Sequence, residues 1–283
     1  MTKEFFSSVF RQVAYNCSST AFSSWFCEVY YRFVIFSTKV YGMCYHISVT
    51  KKHRKSLEER FDAMFETPES YEPYFHFNGW ESKNLYIVKQ EDPETIVTAK
   101  WGVLPAAHDI SKRSDFLKKR NTLNATRERL FESPLFNQLI GWQRCLVIAD
   151  GLFEPHKNQD IKGSIPYYFS LQERALFAFA GLFSEHRSEA GLQTAASIIT
   201  TEANDLFKRI HNTPNTLGSY RMPLVLNKED EYEWLACRNN GSTIAKILDT
   251  APQQQFHAYP VSQDIFKRKD SNHDGILAPV SYP

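Results

Sequence analysis

The sequence predicts an α+β fold in which a largely antiparallel sheet or open barrel is flanked by helices. Strand-like apolar runs outnumber helical ones, and the two kinds do not alternate as they do in a parallel α/β sheet. Apolar residues make up 42% of the chain and aromatic residues 14%, a composition that buries a core. With 283 residues there is room for one large domain or two small ones. No apolar run approaches the ~20 residues that a membrane helix needs.

Residues 1–42 differ in texture from the rest, being crowded with aromatics such as Phe5, Phe10, Phe22, Tyr30 and Phe36 and carrying only Glu4 and Glu28 as acids. Their apolar positions keep neither helical nor strand period. Three readings stand for them: a start codon assigned upstream of Met43, a pro-segment removed later, or a true extension. The domain proper is expected over 43–266, with 267–283 as a C-terminal tail.

Helical spacing of Leu57, Phe61, Met64 and Phe65 predicts a helix over 51–65, ended by Pro68. Strands are predicted over 74–77, 85–89 and 95–103, and the stretch 106–123 reads as a charged loop or irregular helix. A short helix follows at 134–140. The apolar run from Arg144 to Ala149 ends at Asp150-Gly151, so a buried strand runs into a tight turn that delivers Glu154. Further strands are predicted over 165–171, 176–182 and 195–200. Thr201 is expected to cap a helix that reaches Ile210 and ends at His211. Asn227 with Asp230 marks the start of another helix, which reaches about Cys237.

The net charge of +1 excludes a uniformly basic coat, so a polyanion has to meet a local patch. Two patches exist, Lys51 to Lys55 and Lys112 to Arg120. The five cysteines are odd in number and include no C-x-x-C pair, which favours a reducing compartment over a disulfide framework. The nine histidines lack metal-ligand spacing, so neither a metal nor another cofactor is expected. Asp270 to Gly275 mimics the start of a calcium loop, but Ser281 stands where the closing acid belongs, and the stretch reads as a turn.

Taken singly, the polar candidates leave alternatives open. Cys44 is either a small buried hydrophobe or, as a first residue, a thiol beside a free α-amine, two nucleophiles that titrate near pH 8 to 8.5. Glu154 reads equally as a surface acid, His211 as a complement to a helix dipole, and Asn124 as a turn residue.

Together and in order they say more. Met43-Cys44, then W-G-x-x-P from Trp101, L-N-A around Asn124, C-L-V-x-x-D-G-x-x-E from Cys145 to Glu154, I-H at His211, R-M-P-L-V-L from Arg221 and Y-P-V-S from Tyr259 to Ser262 resemble the SRAP family, the SOS-response-associated peptidases or abasic-site-processing proteins. The resemblance implies a single SRAP-type domain and an enzyme that binds single-stranded DNA. It implies that Cys44, uncovered as the mature N-terminus, traps the ring-opened aldehyde of an abasic site as a thiazolidine. Asn124 would then position the opened sugar, Glu154 would take protons from the amine and the sugar hydroxyl, and His211 would serve as acid and base. Arg127 and Arg221 would contact phosphate; the basic segment itself puts Lys112 and Arg113 on the DNA backbone, and Trp101 reads equally as a base-stacking residue or as core. A cytoplasmic, nucleoid-associated monomer is expected, with abasic single-stranded DNA as its partner and no membrane.

Some positions depart from the family pattern. Tyr45 and His46 replace the Gly-Arg of M-C-G-R, Thr126 stands where N-A-R has its arginine, with Arg127 one place later, and a loop separates His211 from Arg221. Any residue left in front of Cys44 converts its amine to an amide, which forms no imine. Two other readings remain at this stage: a cysteine peptidase using Cys44 with His211 as base, and a catalytically idle DNA-binding relative.

Overall fold

In the computed structural model, the residues described are 45–81, 83–172, 175–189, 191–215, 217–237, 241–250, 255–266 and 270–283, all within one compact unit, Tyr41–Pro283. Cys44 and the segment 1–42 lie outside the described residues.

Two sheets form the body. The first has the order β13-β9-β8-β1-β3, with β1 His46–Val49, β3 Tyr74–Asn78, β8 Gly151–Lys157, β9 Ser164–Leu171 and β13 Phe256–Pro260. The second runs β12-β11-β10-β7-β4-β5-β2, with β2 Met64–Phe65, β4 Asn84–Lys89, β5 Asp92–Trp101, β7 Arg144–Ala149, β10 Phe177–Ser188, β11 Gly191–Glu202 and β12 Arg221–Pro223. The short strand β6, Asn124–Thr126, lies parallel to β11 with Asn124 opposite Ile198. Most pairings are antiparallel; β2 with β5 and β11 with β5 and β6 are the parallel ones among those described. The predicted α+β class and its largely antiparallel sheet therefore hold.

Six helices flank the sheets among the described residues: α1 Lys55–Phe61, α2 Arg113–Lys119, α3 Pro134–Ile140, α4 Asp205–Ile210, α5 Lys228–Ala236 and α6 Gly241–Thr250. The first is shorter than its apolar spacing predicts. Asp62 turns left-handed at φ 50° and its N–H closes onto the Glu58 carbonyl, so Met64 and Phe65 leave the helix and pair with β5 instead.

One crossing matters for the site. The chain leaves the second sheet at Ala149, turns at Asp150 and enters the first sheet as β8. The turn demands glycine at 151 because a Cβ there would lie 2.2 Å from the Tyr168 hydroxyl. Glu154, which the sequence pattern delivers just beyond the turn, consequently sits on a strand.

The cap predicted at Thr201 is also corrected. Thr201 stays in β11 opposite Met222, and the cap of α4 lies three residues later, where the Asn204 side chain accepts from the Phe207 N–H at 3.0 Å. A residue already committed to a ladder is not free to take the Ncap conformation. The stretch assigned to a tail packs onto the fold, since Asn272 Oδ1 accepts from the Phe75 N–H at 2.8 Å and Ile276 is buried against Phe153.

Candidate functional site

The site is built where β8 passes α4. Residues 151–154 of β8 are buried throughout, which draws Glu154 into the interior (0% exposed). The end of the strand is pinned to the loop after α4. Asn212 accepts from the Lys157 N–H at 2.9 Å and donates to the Lys157 carbonyl at 2.8 Å, while His156 Nδ1 bonds the Ile210 carbonyl at 2.8 Å. These bonds set His211, the residue that ends α4, beside the strand. His211 Nδ1 lies 2.6 Å from Glu154 Oε2, and the imidazole is 3% exposed.

Burial alone would pull the His211 imidazole down. The neighbouring Glu154 carboxylate, by charge and by hydrogen bond, outweighs that and holds it above the ordinary histidine value. Glu154 Oε1 and His211 Nε2 are buried without a hydrogen-bond partner among the described residues. A buried polar atom left in that state is uncommon.

Two links tie this pair to the start of β1. Ile47 faces Leu152 and Ser48 faces Gly151 across the β1–β8 ladder. Carried two residues further, that register sets Tyr45 alongside Glu154. On its other side Tyr45 accepts the Gly79 N–H at 2.9 Å, and its hydroxyl takes a hydrogen bond from Asn121 Nδ2 at 2.7 Å. Asn121 opens the short stretch that carries Asn124, itself 4% exposed on β6. Glu154 and His211 thus lie beside Tyr45, the residue before β1, while Asn124 is placed on β6 against β11; Cys44 lies outside the described residues. The described cysteines offer no competing nucleophile, since Cys145 and Cys237 are core residues and burial pushes both thiols up.

The residues expected to contact DNA divide sharply. Trp101 is fully buried: its Nε1 donates to the Leu123 carbonyl at 2.8 Å and its ring meets Phe77 at 5.4 Å. Base stacking by Trp101 is corrected on that ground, because both ring faces are used by the core. Arg113 is corrected likewise. Its guanidinium is turned inward onto the Trp101 carbonyl and, at 2.9 Å, the Gly79 carbonyl, so it anchors α2 rather than reaching a phosphate. Arg221 makes a two-point pair with Glu128 at 2.9 Å and 2.9 Å and donates to the Thr200 carbonyl. Arg127 is held by the Leu248 carbonyl and Asp249. Lys112 is exposed, as are Lys119 and Arg120 at the far end of α2.

Sequence reasoning passed over Tyr45, Asn121 and Trp80. The last is 48% exposed, with its ring centroid 6.1 Å from that of Tyr45. The available signal was Asn78-Gly79, a turn pair at the end of a strand, with a tryptophan directly behind it.

The profile of the SOS response associated peptidase (SRAP) family matches residues 43–268. Abasic site processing protein YoaM of Bacillus subtilis (strain 168) is 29% identical over 218 residues, covering 76% of this chain and 89% of that protein. YobE of the same organism is 30% identical over 208 residues, covering 72% and 88%. Abasic site processing protein YedK of Escherichia coli (strain K12) is 24% identical over 222 residues, covering 77% and 91%. Among solved structures, a protein from Bacteroides thetaiotaomicron aligns with a TM-score of 0.71 at 26% identity, over 84% of this chain and 100% of that one.

Proposed function

This chain belongs to the SOS response associated peptidase (SRAP) family, and from that premise we propose that it processes abasic sites in single-stranded DNA by forming a covalent thiazolidine through Cys44. The observation that carries the reading is the buried Glu154–His211 pair, 2.6 Å apart, beside the strand that begins two residues after Cys44.

The chemistry needs proton transfers at each stage. The Cys44 amine, uncovered by removal of whatever precedes it, adds to the aldehyde carbon of the ring-opened sugar and gives a carbinolamine. That intermediate loses water to an imine, and the Cys44 sulfur closes the five-membered ring on the same carbon. One water leaves overall, and no oxidant or reductant takes part. Glu154 accepts a proton from the attacking amine and from the sugar hydroxyl as the ring opens. Glu154 favours the protonated form of His211, and that imidazolium delivers a proton to the departing hydroxyl. Placed groups of this kind accelerate such steps by ~100- to 10,000-fold. Asn124, an amide with both donor and acceptor, orients the opened sugar.

Binding is proposed to use the exposed cations of α2 and of the Lys51 to Lys55 stretch on the phosphate backbone, so affinity falls steeply as salt rises.

Protein that begins at Cys44, incubated with an abasic single-stranded oligonucleotide, should give a band that survives denaturation. Cys44→Ser should give none, and neither should protein with one alanine placed before Cys44. An equal band from either variant, or no band from the parent protein, would overturn the thiazolidine reading. Cleavage of a peptide substrate that persists in the alanine-extended protein would favour a thiol peptidase.

A further inference from the structure

We propose that Glu128 stands in for DNA: its carboxylate occupies the Arg221 fork in the free protein and gives way to a backbone phosphate when a strand binds; the inference rests on the crosslinking reading and deepens it. Glu128 is on this account a brake on DNA affinity.

The two residues meet across β11. Thr200 of that strand lies opposite Thr126 on β6 and opposite Pro223 on β12, so the turn after β6 and the start of β12 both adjoin it. Glu128 stands in the single 3-10 turn Arg127–Arg129 that follows β6, four residues beyond Asn124, and Arg221 opens β12. Arg221 Nη1 and Nη2 donate to the two Glu128 oxygens at 2.9 Å each. A guanidinium offers the same two-point geometry to phosphate.

The halves of the pair are held unequally. The Arg221 side chain is 6% exposed, and its Nη2 also donates to the Thr200 carbonyl at 2.7 Å, which fixes the fork from beneath. The Glu128 side chain is 57% exposed. Rotation of Glu128 into water therefore uncovers the fork and leaves the strand below it undisturbed. Glu202, opposite Arg221 in the ladder, is drawn off by Lys208 at 2.9 Å, so Glu128 is the acid that answers the Arg221 charge.

The pair also leaves donors unused. Arg221 Nε and Thr200 Oγ1 are buried without a hydrogen-bond partner among the described residues. A phosphodiester has four oxygens where a carboxylate has two, and so brings acceptors that Glu128 lacks. The next residue along repeats the arrangement, since Arg127 is held by Asp249, whose side chain is 62% exposed. An anion in solution can replace an exposed carboxylate on a fixed guanidinium because the exchange keeps the cation paired throughout. The carboxylate has to leave first, and that lowers affinity for the strand.

The test follows the anisotropy of a fluorescent single-stranded oligonucleotide with one tetrahydrofuran spacer, an abasic analogue that has no aldehyde and forms no crosslink. It compares protein that begins at Cys44 with its Glu128→Gln, Arg221→Gln, doubly substituted and Glu59→Gln forms. Glu59 is an exposed acid on α1 and controls for the loss of one negative charge. Glu128→Gln should bind about 3- to 10-fold tighter, the release expected from a partly exposed ion pair. Arg221→Gln should bind more weakly than the parent, the double variant should match it, and Glu59→Gln should stay within about twofold of the parent. A second arm needs only Glu128→Gln and the parent, on oligonucleotides in which each phosphate near the spacer is replaced in turn by an uncharged methylphosphonate. The gain from Glu128→Gln should vanish at one linkage and persist at the others.

Equal or weaker binding by Glu128→Gln overturns the inference, as does a gain that survives in the double variant or with every methylphosphonate, because the effect would then not pass through Arg221 or a phosphate. A gain of the same size from Glu59→Gln would assign it to net charge and overturn it too. These binding readouts do not depend on crosslinking. Absence of a crosslink to aldehyde-bearing DNA, with the Glu128→Gln gain intact, sinks the earlier reading alone.

Discussion

Two buried carboxylates stand four residues apart in the chain, Asp150 at the turn between the sheets and Glu154 on β8, and the fold treats them oppositely. Asp150 is saturated: it accepts from the Ser48 hydroxyl, the Thr50 N–H and the Thr50 hydroxyl, each at 2.6 Å. Burial pushes its carboxyl up, and those hydrogen bonds only partly offset the push. Glu154 has one charged partner, His211, and keeps an oxygen without a hydrogen bond among the described residues. The lesson is that burial alone does not mark a reactive acid. A carboxylate whose acceptor sites are filled by the fold holds elements together, while one left partly unfilled keeps acceptor capacity that the fold does not use.

The largest effect that would break or sharpen this contrast is on rate. Glu154→Gln should slow crosslinking by ~100-fold or more while urea unfolding changes by no more than about 1 kcal/mol, since shape is kept and only the charge is lost. A variant that crosslinks at the parent rate would remove Glu154 from the proton transfers.

Asp150→Ala should do the reverse. It strands three donors that now meet one carboxylate, and urea unfolding should show a loss of about 3 kcal/mol. The folded remainder should crosslink within about threefold of the parent. A hundredfold rate loss at unchanged stability would erase the distinction between the two acids.

The third expectation concerns pH. The folded pKa of His211 is raised above its unfolded value, so its contribution to stability is fully present below about pH 6.5 and is lost as pH rises through the folded value. Urea midpoints measured from pH 6 to pH 9 should therefore fall more in the parent than in Glu154→Gln. Parallel profiles would show that the pair contributes nothing through its charge.

The smallest effect is expected at Ser48, whose hydroxyl donates to Asp150 and lies 3.1 Å from the Tyr168 hydroxyl. Ser48→Ala should lower stability by about 1 kcal/mol by urea unfolding, with no change in crosslinking rate.

Much of the frame could be read directly. The apolar runs at 74–77, 85–89 and 165–171 fall within β3, β4 and β9, and Pro134 opens α3 where its fixed φ suits a first turn. The misses have common causes. β1 and β6 have four and three residues and draw their stability from the strands beside them, so they leave little local periodicity to read. Trp101 and Trp80 carry the same side chain and could not be told apart by type; the first ends up beneath Gly79 and the second above it. Arg127 and Arg221 were read as DNA contacts from the family pattern and Arg113 from its basic run, but a guanidinium has five donors and serves carbonyls and carboxylates of the fold as readily as phosphates. Arg113 and Arg221 are used in that way.

By itself, the sequence determined the family, the α+β class and the residue types the chemistry requires, because those follow from the order of separate blocks and from composition, which survive without coordinates. Only the tertiary structure decided which acid has its acceptor sites filled and which keeps an oxygen without a hydrogen bond among the described residues, and which tryptophan faces water. Those properties belong to the space between elements, set by the register of β1 on β8 and by the docking of α4 and α2, and no local pattern along the chain encodes them.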